Sequence, residues 1–206
     1  MMGLYERHVL PRLIDLACSG ADIERQRRRV VPRATGRVLE VGMGPGHNLA
    51  FYDRDQVELV WGLEPNTAMR SLAADRIEAS GLDVRWLDLP GEEIPLDTDS
   101  VDTVVLTYTL CSISDWERAL GQMRRVLRPD GQLLFCEHGE APDESVRTWQ
   151  RRIEPIWSRV AGGCHLTRRI PDLIEQAGFV VDELDEGYIP GPKISAYQYC
   201  GRAHPA

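Results

Sequence analysis

Three glycines in the spacing G-x-G-x-G follow an acidic residue, the run from Val38 to Gly46 reading Val-Leu-Glu-Val-Gly-Met-Gly-Pro-Gly. Glycine tolerates the positive φ of a tight turn and leaves no Cβ between backbone and ligand. The dinucleotide-binding form of this turn is G-x-G-x-x-G, and here His47 stands at its last position. A second acidic residue, Glu64, closes the apolar run that begins at Val60. A carboxylate at such a strand end can accept hydrogen bonds from both hydroxyls of a ribose. Together these residues describe a crevice for a nucleoside that has no pyrophosphate to cradle. Asn48 and Asn66 each follow one of the acidic strand ends and suit a helix cap.

The elements that must position these residues alternate between strand and helix. Arg37–Val41, Leu59–Glu64, Val84–Leu87, Val101–Leu106 and Gln132–Cys136 read as five strands. The fourth is apolar on both faces, as a central parallel strand must be. A helix is expected from the glycine turn to about Tyr52, another over Thr67–Ser80 stopped by Gly81, and a third over Trp116–Leu127. Beyond the fifth strand the spacing predicts a helix over Ser145–Val160 broken near Pro155, a helix over Pro171–Ala177, and strands at Phe179–Asp185 and Ile194–Cys200. The expected fold is α/β: a Rossmann-like, doubly wound sheet of about seven strands, mostly parallel, with an antiparallel C-terminal strand.

With 206 residues, 43% of them apolar and 27% charged, the chain fits one globular domain with a sizeable core. A formal charge of -8 argues against a nucleic-acid partner, which normally requires a basic surface. The basic cluster Arg25, Arg27, Arg28 and Arg29 reads as a solvated helix face. No apolar run approaches the length of a membrane span. The charged residues Glu6, Arg7 and His8, with Pro11, do not suit a secretory signal. Five scattered cysteines without a C-x-x-C pair favour reduced thiols in a cytoplasm and no metal site.

In combination, Glu40 through Gly46, the Glu64 strand end, Ser100-Val101-Asp102 and Arg125 through Gly131 make the chain resemble a class I S-adenosylmethionine-dependent methyltransferase. A narrower resemblance reaches over nearly the whole chain. Leu110-Cys111-Ser112, Glu137-His138, Trp149 with Pro155-Ile156-Trp157, and Gly163 through Arg168 are similar to the methyltransferase-like thiol S-methyltransferases and their soluble bacterial relatives. On this resemblance residues 1–206 form one methyltransferase domain. Residues 1–30 would be a helical cap, 37–137 the cofactor-binding core, and 138–206 acceptor-side helices with a terminal strand pair.

The resemblance implies that Glu40 and the backbone of Gly42, Gly44 and Gly46 hold the methionine part of S-adenosylmethionine, with Asn48 and His47 beside it. Glu64 would take the ribose and Asn66 reach the adenosine. The stretch after the third strand carries Pro90 where a carboxylate often grips adenine, so the backbone of Gly91 and Glu92 is expected there, with Asp88 as the alternative. Thr107 and Tyr108 would lie beside the sulfonium. His138, oriented by Glu137, would take the acceptor's proton, the thiolate being the nucleophile. Tyr5, Tyr108, Cys111, Trp149, Trp157 and His165 would roof an acceptor pocket. Cysteine is more often a small buried hydrophobe than a ligand, although a Cys111/Cys136/Cys164 trio holding a soft metalloid is an open alternative. The acceptor implied is a small molecule, a thiol by preference. A quinone-like carbon or hydroxyl, a phospholipid amine, or a non-catalytic cofactor-binding module are the competing readings, and His47 disfavours an NAD-dependent oxidoreductase.

Overall fold

The structure, a computed structural model, describes residues 10–206. Strands β1 (Gly36–Val41), β2 (Val57–Leu63), β3 (Val84–Leu87), β4 (Val101–Thr107) and β5 (Leu127–His138) pair in parallel. Strand β7 (Tyr197–Pro205) runs antiparallel to β5 on one side and to β6 (Phe179–Tyr188) on the other. The order is therefore β3-β2-β1-β4-β5-β7-β6. The order reverses between β1 and β4, and in open α/β sheets that is where the strand tips splay to leave a ligand crevice.

Side chains alternate between two cores, one on each sheet face, as the two-residue period of a strand demands. Leu39, Val104, Leu106, Leu133 and Phe135 join the core that holds Ala119, Leu120 and Met123 of α5 (Trp116–Val126). Val38, Val105, Leu134 and Cys136 join the other, with Val30, Leu49 and Tyr52. The remaining helices are α1 (Leu10–Cys18), α2 (Ala21–Val30), α3 (Thr67–Leu72), α4 (Ala74–Ser80), α6 (Glu144–Val160), α7 (Ile170–Gln176) and α8 (Lys193–Ala196). Among the described residues, no helix is long and apolar enough to cross a membrane.

Five sequence expectations are corrected. The helix after the glycine turn is a single 3-10 turn, His47–Ala50, because Asn48, Phe51 and Tyr52 turn inward and the chain drops at once toward β2. The helix expected over Thr67–Ser80 divides at Ala73, which is fully buried beneath the glycine loop. Helix α6 continues through Pro155: Pro155 and Ile156 are exposed, so water can serve the carbonyl that proline leaves without its donor. The last strand starts at Tyr197, preceded by the short α8, and β5 begins at Leu127 with an irregular register against β4.

Candidate cofactor and acceptor site

A cavity of about 420 Å³ opens over the tips of β1, β2 and β4. Its floor is the glycine turn. Gly42 sits at φ 67° and Gly44 at φ 55°, left-handed values that penalise any residue with a Cβ. At Gly42 an added Cβ would lie 2.3 Å from the Thr109 side chain, whereas at Gly44 it would meet nothing closer than 3.9 Å. The first glycine is thus required by packing as well as by φ; the second leaves open space at the cavity.

Glu64 is buried beside this turn. One carboxylate oxygen accepts from the Gly44 N–H (3.1 Å) and the other from the Asn66 N–H (2.8 Å). Each oxygen keeps a second lone pair, which is what two ribose hydroxyls need. Burial raises its pKa, against the pull of those N–H groups and of Arg70. Asn66 caps α3, its side chain accepting from the Ala68 and Met69 N–H groups, and also lines the cavity. Gly91 and Glu92 line the cavity with Pro90, whereas Asp88 is turned away to pair with Arg70 at 3.0 Å.

Glu40 does not line the cavity. Its carboxylate is 2% exposed and accepts from Tyr52 Oη (2.7 Å) and Asn48 Nδ2 (3.0 Å). Burial pushes its pKa up to about 7, although Tyr52, the charge of Arg27 and Asn48 all pull it down. Asn48 therefore caps nothing: its amide bridges Glu40 and Thr107. Gly46 also stays behind the wall, at φ 80°, packed on Leu49.

The sequence reading missed Arg27. The expected solvated arginine face holds for its neighbours but fails here, because Arg27 is 5% exposed and lines the cavity. Its Nη1 donates to Asn48 Oδ1 and to Thr107 Oγ1, both at 2.7 Å, and the guanidinium lies 5.1 Å from the centre of the Tyr108 ring. Its Nε has no hydrogen-bond partner among the described residues. A neighbouring helix closes the same side: Ile14 and Cys18 of α1 line the cavity, and Asp15 reaches His47 at 3.0 Å and Arg76 at 3.1 Å.

Thr107 and Tyr108 line the cavity at the end of β4. Tyr108 takes φ 55°, a left-handed value uncommon outside glycine. The turn is held by Glu137, whose fully buried carboxylate accepts from the N–H groups of Thr109 (2.7 Å), Leu110 (3.0 Å) and Cys111 (3.5 Å). Burial raises its pKa in spite of those bonds. Glu137 therefore fixes backbone, and its expected role in orienting His138 has no hydrogen bond behind it.

His138 stands behind the cavity wall with Nε2 3.1 Å from Cys164 Sγ, and its Nδ1 is buried without a partner among the described residues. Burial lowers its pKa, but the Cys164 contact and the charges of Cys164, Glu137 and Glu154 outweigh it, for a net rise. Trp157 Nε1 donates to Cys164 Sγ at 3.2 Å. His165 pairs with Glu154 at 2.7 Å. Trp149 is 56% exposed on α6, with Arg152 over its ring, and does not reach the cavity. Tyr5 lies outside the described residues. The cysteines sort differently from the alternative Cys111/Cys136/Cys164 trio: Cys136 lies 3.0 Å from Cys200 across β5 and β7, while Cys111 and Cys164 gather with His138. That second cluster keeps Cys111 and Cys164 of the alternative trio and adds His138, which the cysteine spacing gave no reason to expect.

A parallel sheet reversing between β1 and β4, an antiparallel end strand and a glycine turn beneath a buried acid at β2 together define the fold of the S-adenosylmethionine-dependent methyltransferases. Residues 39–135 match the family described as Methyltransferase domain. The chain is 38% identical over 152 residues to human thiol S-methyltransferase TMT1B, covering 71% of this chain and 62% of that protein. It is 28% identical over 165 residues to demethylmenaquinone methyltransferase of Thermus thermophilus, covering 76% and 75% of the two chains. The solved structure of a methyltransferase of the same cofactor class from Methanosarcina mazei superposes with a TM-score of 0.67 at 16% identity, over 84% of this chain and 93% of that one. The chain belongs to the S-adenosylmethionine-dependent methyltransferases, and S-adenosylmethionine is the cofactor of that family. It spans less than two thirds of the length of the animal thiol S-methyltransferases it matches.

Proposed function

We propose that the protein transfers the methyl group of S-adenosylmethionine to a small-molecule thiol. The observation that carries the cofactor part is Glu64, a buried carboxylate with lone pairs to spare, set beside the Gly42–Gly44 backbone at one cavity. In this reading Glu64 takes the ribose hydroxyls and Gly91 and Glu92 meet adenine through their backbone. The methionine end lies over Gly42 and Gly44, with Glu40 and Asn48 stiffening the turn from behind. Arg27, buried at that end, faces the methionine carboxylate with charge and a spare N–H.

Methyl transfer from a sulfonium disperses charge, so the enzyme's main task is to hold donor and acceptor in a near-attack pose in a dry pocket. The end of β4, with Thr107 and Tyr108, flanks the reacting methyl. His138 is engaged with Cys164 behind the wall, so ionisation of the acceptor does not run through a direct imidazole contact. The thiol preference is supported by the similarity to thiol S-methyltransferases. The similarity to the Thermus demethylmenaquinone methyltransferase supports a second reading, methylation of a quinone-like carbon.

Two measurements test this. Calorimetry should show S-adenosylhomocysteine binding that Glu64→Ala weakens by about 1–3 kcal/mol, the scale for losing a charged hydrogen-bond partner. An unchanged affinity would mean the nucleoside sits elsewhere. A panel of thiol, phenol, quinol and amine acceptors, read by mass shift, should show methylation on sulfur, and transfer to carbon alone would replace the thiol reading with the quinone one.

A further inference from the structure

Two loops and a strand end converge behind the cavity. Cys111 comes from the loop after β4, His138 from the end of β5, and Cys164 from the loop after α6. Their donor atoms, two Sγ and one ring nitrogen, all lie within 4.8 Å of one another. Ser112, next to Cys111, and Gly162, two residues before Cys164, line the cavity itself. We propose that Cys111, His138 and Cys164 form a site for a thiophilic divalent cation of the zinc type, with a fourth coordination position open to a small thiol.

The donor chemistry fits such an ion. Zinc binds cysteine sulfur at about 2.3 Å and histidine nitrogen at about 2.0–2.1 Å in a tetrahedron, so its donors stand roughly 3.5–4 Å apart. The 3.1 Å contact between Cys164 Sγ and His138 Nε2 needs only a small outward shift to meet that spacing. Three protein donors of the Cys₂His type with one position vacant is the pattern of a reactive rather than a purely structural zinc. Charge also balances, because two thiolates and a neutral imidazole cancel a divalent cation and leave no net charge in a buried place. Arg168 lies within Coulombic reach of both cysteines, and Glu137 and Glu154 lie within its reach to offset it. The indole N–H of Trp157, already aimed at Cys164 Sγ at 3.2 Å, is the outer partner that would fix a metal-bound thiolate.

The cation site stands apart from the acceptor reading, whereas the open position rests on the proposed thiol acceptor. There the thiol would give up its proton to solvent and bind as thiolate. Such a metal supplies what the cavity wall lacks, a means of ionising the acceptor.

The full-length protein, reduced and stripped with chelator, is titrated with Co²⁺ and Zn²⁺ while S-adenosylhomocysteine binding is followed as a measure of folding. One equivalent of Co²⁺ should bind with sulfur-to-metal charge-transfer absorption and the intense visible bands of a four-coordinate site, and Zn²⁺ should displace it. Cys111→Ser, Cys164→Ser and His138→Asn should each lower affinity by at least about 100-fold, beyond the roughly 10- to 100-fold that loss of an outer partner costs. Cys136→Ser and Cys200→Ser should bind as wild type. Ethanethiol should shift the visible bands. Absence of stoichiometric uptake in protein that binds S-adenosylhomocysteine overturns the site, as does uptake indifferent to the three variants. If any of those three variants fails to bind S-adenosylhomocysteine, Trp157→Phe decides, since it should weaken Co²⁺ about 10-fold and unchanged affinity there overturns the site. Visible bands unmoved by ethanethiol overturn the open position. Cobalt binding with no sulfur methylation in the acceptor panel rejects the thiol acceptor and supports the cation site.

Discussion

The two sides of the cavity are built by different means. Under the cofactor side, the β1 turn and the β2 tip present backbone N–H groups and one carboxylate, all drawn from residues 42–66 and all set by local geometry. The opposite side is assembled from side chains carried by α1, α2 and the loop after β4, with Gly162 of the loop after α6 beside them. A wall made of backbone is indifferent to most substitutions outside its glycines. A wall made of distant side chains depends on each of them, and that freedom lets one fold serve many acceptors.

The sharpest way to break this contrast is at the first glycine. Gly42→Ala combines a strained φ of 67° with a Cβ 2.3 Å from Thr109, so it should cost about 3 kcal/mol or more of stability and abolish S-adenosylhomocysteine binding. Gly44→Ala, with only φ strain and open space, should cost less stability while still losing affinity, read by denaturant unfolding and calorimetry side by side. Equal losses at both positions would remove the packing argument.

Glu40 gives the next largest effect. Its folded pKa of about 7 lies above the ordinary 4.5, so the protonated carboxyl is favoured by folding. That contribution is fully present below pH 4.5 and disappears as pH rises through 7. Relative to Glu40→Gln, the wild type should lose up to about 3 kcal/mol between pH 4.5 and pH 8 in denaturant titrations. A constant difference would mean that Glu40 stays ionised in its network. The smallest effect belongs to Trp149, exposed on α6 away from the cavity: Trp149→Ala should change stability by no more than about 0.5 kcal/mol and leave cofactor binding intact. A lost methyl transfer there would bring α6 into the acceptor wall after all.

What could be read from the sequence follows the same division. Apolar runs ending in Glu40 and Glu64 mark the parallel strands because the two-residue period and the glycine turn are local signals. Residues 42, 44, 64, 66, 91, 92, 107 and 108 accordingly do line the cavity. Arg27 was invisible for the opposite reason. It sits among arginines on a strongly polar helix, and its partners Asn48 and Thr107 lie 21 and 80 residues away. Glu137 also looked like a partner for its neighbour, whereas its partners are backbone N–H groups 26 to 28 residues earlier. The short 3-10 turn after Gly46 was equally hidden, since nothing in the helical spacing announces that Asn48 will spend its amide on a buried acid.

Arg27 reaches the cofactor cavity from α2, ahead of the first strand of the core. A graft that exchanges the leading helices to redesign acceptor choice would therefore alter grip on the methyl donor at the same time. On the proposed placement of Arg27 at the methionine carboxylate, the two specificities are not separate modules, and directed evolution of one will drag the other along.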